Sequence, residues 1–210
     1  PFGDAFSPAQ LDVDNDKEEL VVILQLINQL EGEPSAFDQS IQERFFSSPD
    51  RAENVRFGVG PAGYQIVDED FYFTEVGEEL YDLCDDPETL YERFAQHILN
   101  NLHGLKGIEI VEDLEAQGKQ TTNENVKQEF RNQYDFHINE TSNHWSQMRA
   151  WLAKADIVNT GTHHYEINRT KLEEILGIGS KDILDLDGLN EQQQAFLRAL
   201  ALINPDGQIK

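Results

Sequence analysis

Between Phe71 and Leu83 the chain reads FYFTEVGEELYDL, and the glycine at position 77 is its most restrictive residue. An aromatic run suited to a strand gives way at Thr74 to residues suited to a helix. A glycine one turn into that helix costs about 1 kcal/mol relative to alanine. That cost is tolerable where a side chain would collide with something. Thr74 is a natural N-cap, and Gly77 allows the helix it opens to lie close against a neighbouring backbone. The chain must therefore fold a strand, a cap and a tightly packed helix in immediate succession.

The residues ahead of this junction read as three helices and a hairpin. Leu20, Ile23, Leu24, Ile27 and Leu30 share one face of a helix predicted over 17–30. Ser35 with Asp38 three residues on suggests the cap of a second helix carrying Phe37, Ile41 and Phe45 inward. Ser48-Pro49 opens a third, because proline suits the first helical position. Gly58, Gly60, Pro61 and Gly63 end it. Tyr64, Ile66, Phe71 and Phe73 flank an acidic turn at Asp68–Asp70, which predicts an antiparallel hairpin over 64–73.

The same order recurs downstream. Asp86-Pro87 caps a helix with Leu90, Phe94, Ile98 and Leu102 inward, and a helical stretch over 107–117 closes at Gly118. Thr121 and Glu124 form a capping-box pattern ahead of Val126 and Phe130. Thr141 or Ser142 is placed to cap NHWSQMRAWLAKA, on which Trp145, Met148 and Trp151 are expected to be buried together. Residues 157–159 and 164–167 predict a second hairpin around Gly161, and Thr170 a closing helix to Leu176. A last helix over 190–203 sets Phe196, Leu197, Leu200 and Ile203 on one face, for docking on the body, oligomerisation or a partner.

Three helices, a hairpin and a helix, with Thr74, Gly77 and Leu80 in a Thr-x-x-Gly-x-x-Leu pattern, resemble the winged-helix family at the end of its wing. The expected fold class is mostly α with two small β-hairpin wings, a tandem winged helix-turn-helix. The expected divisions are an acidic, solvated N-terminal arm over 1–16, a first winged helix over 17–84, a second with its linking helix over 85–176, and a helical extension over 177–210.

Charge separates the two units. The formal net charge of -24 argues against generic nucleic-acid binding, which needs clustered Lys and Arg. From Gly118 to Lys171, however, seven bases meet six acids, whereas nine bases face thirty-four acids elsewhere. Four of the six histidines also lie in this stretch. An acidic turn at Asp68, Glu69 and Asp70 would repel phosphate, so the first unit is expected to be structural or to contact protein. In the second, Asn143, Ser146, Gln147 and Lys154 fall opposite the tryptophan face with Arg149 on the flank, while His163, Arg169 and Lys171 lie around the wing. Small, amide and basic groups suit contact with base edges and phosphates of duplex DNA.

Other chemistries lack their motifs. Asp12, Asp14 and Asp16 suggest a calcium loop, but Lys17 and Ile23 occupy its glycine and glutamate positions. The histidines have no zinc spacing, GIGS at 177–180 is no nucleophile elbow, and no lysine-bearing phosphate loop is present. No catalytic residue, metal or cofactor is expected. Cys84 is the single cysteine, no apolar run approaches a membrane span, and the first residues lack a signal pattern, so the chain reads as cytoplasmic.

The stretch from Thr141 to Leu189, with TSNHWSQMRAWLAKADIV and YEINRTKLEEILG, resembles winged-helix regions of prokaryotic restriction and phage-defence proteins. That implies a DNA-recognition accessory. The acidic tandem is also similar to small winged-helix subunits of bacterial chromosome-condensing complexes, which implies a protein–protein interaction subunit. An acidic DNA mimic that blocks DNA-binding proteins is the third reading.

Overall fold

The computed structural model describes residues 5–11, 18–45, 47–134, 143–160 and 165–177. Among them are nine α-helices and one two-stranded antiparallel sheet. The predicted arm residues 12–16, the caps Thr141 and Ser142, His163 and the predicted helix over 190–203 lie outside the described residues.

The first three helices are α1 (Glu19–Gln29), α2 (Pro34–Phe45) and α3 (Pro49–Val59). α1 buries the stripe predicted from its spacing, including Leu20, Ile23, Leu24 and Ile27. α2 starts two residues earlier than a cap at Ser35 would place it. Ser35 lies inside the helix, and the Glu33 carbonyl accepts the Ala36 and Phe37 N–H groups at 3.1 Å each. Proline at 34 sets the helical φ, so no side-chain cap at Ser35 is needed. Ser48 caps α3 as expected, accepting from the Arg51 N–H at 3.3 Å.

The first predicted hairpin is reduced to a turn with one antiparallel bridge, Val67 to Phe73. Gln65 and Phe71 take φ values of 59° and 66°, which interrupt the extended backbone on both sides of the turn. The Asp68 carboxylate holds the turn by accepting the N–H groups of Asp70 at 3.0 Å and Tyr72 at 2.9 Å. Local carboxylate capture replaces the ladder bonds that a longer strand would make.

Thr74 then opens α4 (Glu75–Asp82), its hydroxyl oxygen accepting from the Gly77 N–H at 3.2 Å while the O–H donates to the Gln65 carbonyl at 2.7 Å. A Cβ on Gly77 would fall onto the Ile66 carbonyl oxygen, with Phe73 Cδ1 2.7 Å away. The costly glycine thus lets the helix press directly against the turn that precedes it.

The long α5 (Pro87–Asn101) is the centre of the molecule, packing against α4, α6 (Gly104–Ala116), α8 (His144–Lys154) and α9 (Arg169–Ile175). Asp86 caps it, accepting from the Thr89 hydroxyl at 2.7 Å. α7 (Asn123–Tyr134) is capped by Thr122, whose hydroxyl accepts from the Asn125 N–H at 3.2 Å; Thr121 is buried instead. The sequence offered two adjacent threonines, and the backbone register selects the second. The sheet pairs β1 (Val158–Thr160) with β2 (Tyr165–Ile167), Val158 facing Ile167 and Thr160 facing Tyr165. α9 begins at Arg169, capped by the Asn168 side chain on the Lys171 N–H, rather than at Thr170.

Residues 5–11 are not a solvated arm. Phe6 is fully buried, its ring edge-on to Tyr64 and Trp151 with centroids 5.5 Å away in each case. Its carbonyl accepts from the Tyr64 hydroxyl at 2.9 Å and the Trp151 indole N–H at 2.6 Å. Tyr64 belongs to the first turn region and Trp151 to α8, so this strap joins the two halves. Leu11 is buried behind a short 3-10 turn, Pro8–Gln10. The buried apolar residues of both halves form one continuous cluster. Trp145, Met148 and Trp151 all belong to it, Trp145 beside Phe130 and Trp151 beside Phe94. No described helix is long and apolar enough to cross a membrane.

Candidate functional site

The helix expected to meet DNA, α8, has three differently occupied faces. Trp145, Met148, Trp151 and Leu152 are core. A second stripe, at helical spacing from Trp151, turns toward the first half of the chain. There the Gln147 amide donates to Gln10 Oε1 at 3.3 Å, and Lys154 Nζ lies 2.7 Å from Glu19 and 3.5 Å from Glu18 at the start of α1. Both carboxylates also accept from the Tyr91 hydroxyl, at 2.9 Å for Glu18 and 3.1 Å for Glu19. Burial alone would depress the Lys154 pKa, but the Glu19 and Glu18 carboxylates outweigh it and raise the value. Burial would likewise raise Glu19, and the Lys154 ammonium outweighs it and lowers the value. Burial, reinforced by Glu19, holds the Tyr91 phenol far above its ordinary range, so it remains a donor.

The third face carries Asn143 and Ser146, with Arg149 beside it. Asn143 is exposed and Ser146 half-buried. Arg149 lies over the Tyr165 ring, its guanidinium carbon 3.9 Å from the centroid, and its Nε has no hydrogen-bond partner among the described residues. Desolvation lowers its pKa. A planar, weakly hydrated guanidinium suits such stacking, which occupies one face of the group in holding the hairpin to the helix.

The remaining cations near the hairpin are also matched by acids of the same chain. Arg169 pairs with Glu112 on α6, and Lys171 pairs with Glu92 on α5 and, at 3.5 Å, with Glu174. The Glu92 hydrogen bond raises the Lys171 pKa. Of the residues predicted to contact DNA, Ser146, Gln147, Arg149 and Lys154 share α8 with Asn143 just before it, and Arg169 and Lys171 share the first turn of α9. The two sets do not form one uninterrupted basic surface, because Glu18, Glu19, Glu92 and Glu112 stand among them. These four glutamates, and Tyr91 with them, carried no sequence signal for this role: their partners are at least 57 residues away, as from Glu112 to Arg169.

A second surface lies on the other half. An open groove of about 780 Å³ runs between the 64–74 turn, α4 and α5. His97 is at its edge and almost wholly buried, donating from Nε2 to the Tyr64 carbonyl at 2.9 Å and accepting at Nδ1 from the Asn101 amide at 3.0 Å. Those two bonds define a neutral ring, and desolvation lowers its pKa accordingly. Pro61, Val67 and Val76 give the groove an apolar lining, and Asp68, Glu69, Glu75 and Glu79 give it carboxylates. Glu79 pairs with Arg93. Among the described residues no Lys or Arg pairs with Asp68, Glu69 or Glu75. No group of three or more His, Cys, Asp or Glu among the described residues is placed to hold a metal ion. Comparison with known proteins finds no matching family model, no matching curated protein and no matching solved structure.

Proposed function

We propose that the chain is an acidic protein–protein interaction module built on a tandem winged-helix plan. The plan is supported by the succession of three helices, a tight turn and a helix in the first half, and by helices, a two-stranded hairpin and a helix in the second. One observation carries the choice of partner. Lys154, Arg169 and Lys171 are neutralised by the chain's own glutamates and Arg149 is stacked on Tyr165, whereas among the described residues no Lys or Arg pairs with Asp68, Glu69 or Glu75. Binding of DNA releases counterions in proportion to the free cations brought to phosphate. Here those cations would first have to leave their own ion pairs, against the repulsion of a chain with net charge -24.

The competing reading, a DNA-recognition accessory of a restriction or phage-defence system, is decided by a titration of fluorescent duplex at several salt concentrations. Asn143→Glu/Ser146→Glu is the informative variant, because neither side chain makes an ion pair. The interaction-module reading expects no duplex binding that this variant weakens. Saturable binding by the wild type, lost in the variant, would overturn it in favour of DNA. Its positive arm is a stoichiometric complex re-formed from purified chain and purified partner.

A further inference from the structure

Resting on that interaction-module reading, we propose that the groove between the 64–74 turn, α4 and α5 receives a Lys/Arg-bearing segment of a partner protein. The chemistry of its walls is that of a long cationic side chain. Pro61 and Val76 offer apolar surface for the methylene stem, and the carboxylates of Glu69 and Glu75 offer acceptors for the charged head. Glu79 already binds the Arg93 guanidinium at this surface, so the chain itself shows the kind of contact the groove makes.

The shape selects among acidic-surface partners. A DNA mimic presents acids on a convex face to a basic cleft, whereas these acids border a concavity, which an inserted segment fills. Among the described residues no Lys or Arg pairs with Glu69 or Glu75, and several cations are held elsewhere. Arg56 pairs with Asp38, Lys127 with Glu124, and Lys154, Arg169 and Lys171 with the glutamates described above. A basic partner segment supplies the complementary charge.

The groove itself is firmly built. Thr74 and Gly77 lock α4 against the turn, the Asp68 carboxylate ties the turn's own N–H groups, and His97 bonds the 64–65 backbone to α5. A preformed groove loses little ordering entropy when it is filled.

The test is fluorescence anisotropy with a labelled peptide alternating arginine and alanine, titrated with the full chain at low and physiological ionic strength. Glu69→Gln/Glu75→Gln removes two exposed carboxylates that pair with no Lys or Arg among the described residues. Glu115→Gln/Glu173→Gln removes the same charge from exposed positions on α6 and α9. The groove variant should bind roughly three- to tenfold more weakly, as loss of two partly exposed charge contacts implies. The control should change by less than about twofold. Equal weakening of both variants would show diffuse attraction and overturn the groove while leaving the interaction-module reading in place. Saturable binding unaffected by the groove variant would also overturn it. Concentration-dependent dimerisation that the groove variant abolishes would replace the partner segment with a second copy. Duplex binding in the preceding titration would instead defeat the underlying reading.

Discussion

Phe6→Ala tests whether the N-terminal strap is a structural member. In the folded chain the ring is fully buried and meets Tyr64 and Trp151 edge-on. Truncating a buried phenylalanine costs roughly 3 to 5 kcal/mol through lost transfer energy and the cavity left behind. The backbone carbonyl survives the substitution, so its bonds from Tyr64 and Trp151 remain available and the loss is one of packing alone. Stability is read from urea melts followed by tryptophan fluorescence and far-UV circular dichroism. The corresponding fall in Tm is roughly 6 to 20 °C, at about 2 to 4 °C per kcal/mol for a chain of this size. Tyr64→Phe is the companion variant: it removes one donor to the Phe6 carbonyl, keeps the ring, and should cost only about 0.5 to 1.5 kcal/mol. A surface arm would tolerate Phe6→Ala within about 0.5 kcal/mol. A measured loss under about 1 kcal/mol would therefore refute the strap as a structural element.

Gly77→Ala drives a Cβ into the Ile66 carbonyl oxygen, so a loss of at least about 2 kcal/mol is expected in the same melt, where a helix-propensity argument alone predicts a gain. Cys84 has its thiol pKa pushed up to about 11 by burial, with Asp85 and Asp82 adding to it, so alkylation at neutral pH should be much slower than for a free thiol, and equal rates would contradict that environment. The Glu19–Lys154 pair gives a signed pH test. The lowered Glu19 pKa supplies stability above its ordinary value that is lost as pH falls through the folded-state value. The raised Lys154 pKa supplies stability that is full below its ordinary value and lost as pH rises through the raised one. Lys154→Met should accordingly shift the Glu19 carboxyl titration, followed by carbon NMR, to higher pH; an unmoved midpoint would show that the pair does not hold it. Added salt should raise the Tm of the wild type from its low-salt value, because screening relieves the repulsion of a net charge of -24, and a Tm that falls monotonically with salt would show that the ion pairs outweigh that repulsion.

Features governed by residues three or four apart were legible without the fold. The apolar stripes of α1 and α8, the caps at Ser48, Thr74 and Asp86, and the close approach at Gly77 each follow from local backbone geometry and the size of a side chain. Short-range competition explains the misses at Ser35 and Thr121. A proline and a neighbouring threonine supplied equally good helix starts, and only packing chooses between such alternatives. The hairpin over 64–73 failed for a related reason. Alternation of aromatic residues predicts which side chains turn inward, but not the positive φ values at Gln65 and Phe71, whose N–H and carbonyl bond to Gly60 and Gly32 instead of to a partner strand.

The candidate surfaces depended on contacts that no sequence spacing encodes. Periodicity placed Lys154 on the side of α8 away from the tryptophans; in the structure it shares a stripe with Trp151, and Glu18 and Glu19 stand opposite it, 136 and 135 positions earlier. Near-neutral charge over 118–171 likewise described composition and not a surface, since Arg169 and Lys171 are met by glutamates from α5 and α6. The sequence by itself determined the helices, their buried faces and the excess of acid. Tertiary structure alone decided which charges cancel and which are left for another molecule, because Coulomb energy depends on distance in space and screening, not on distance along the chain.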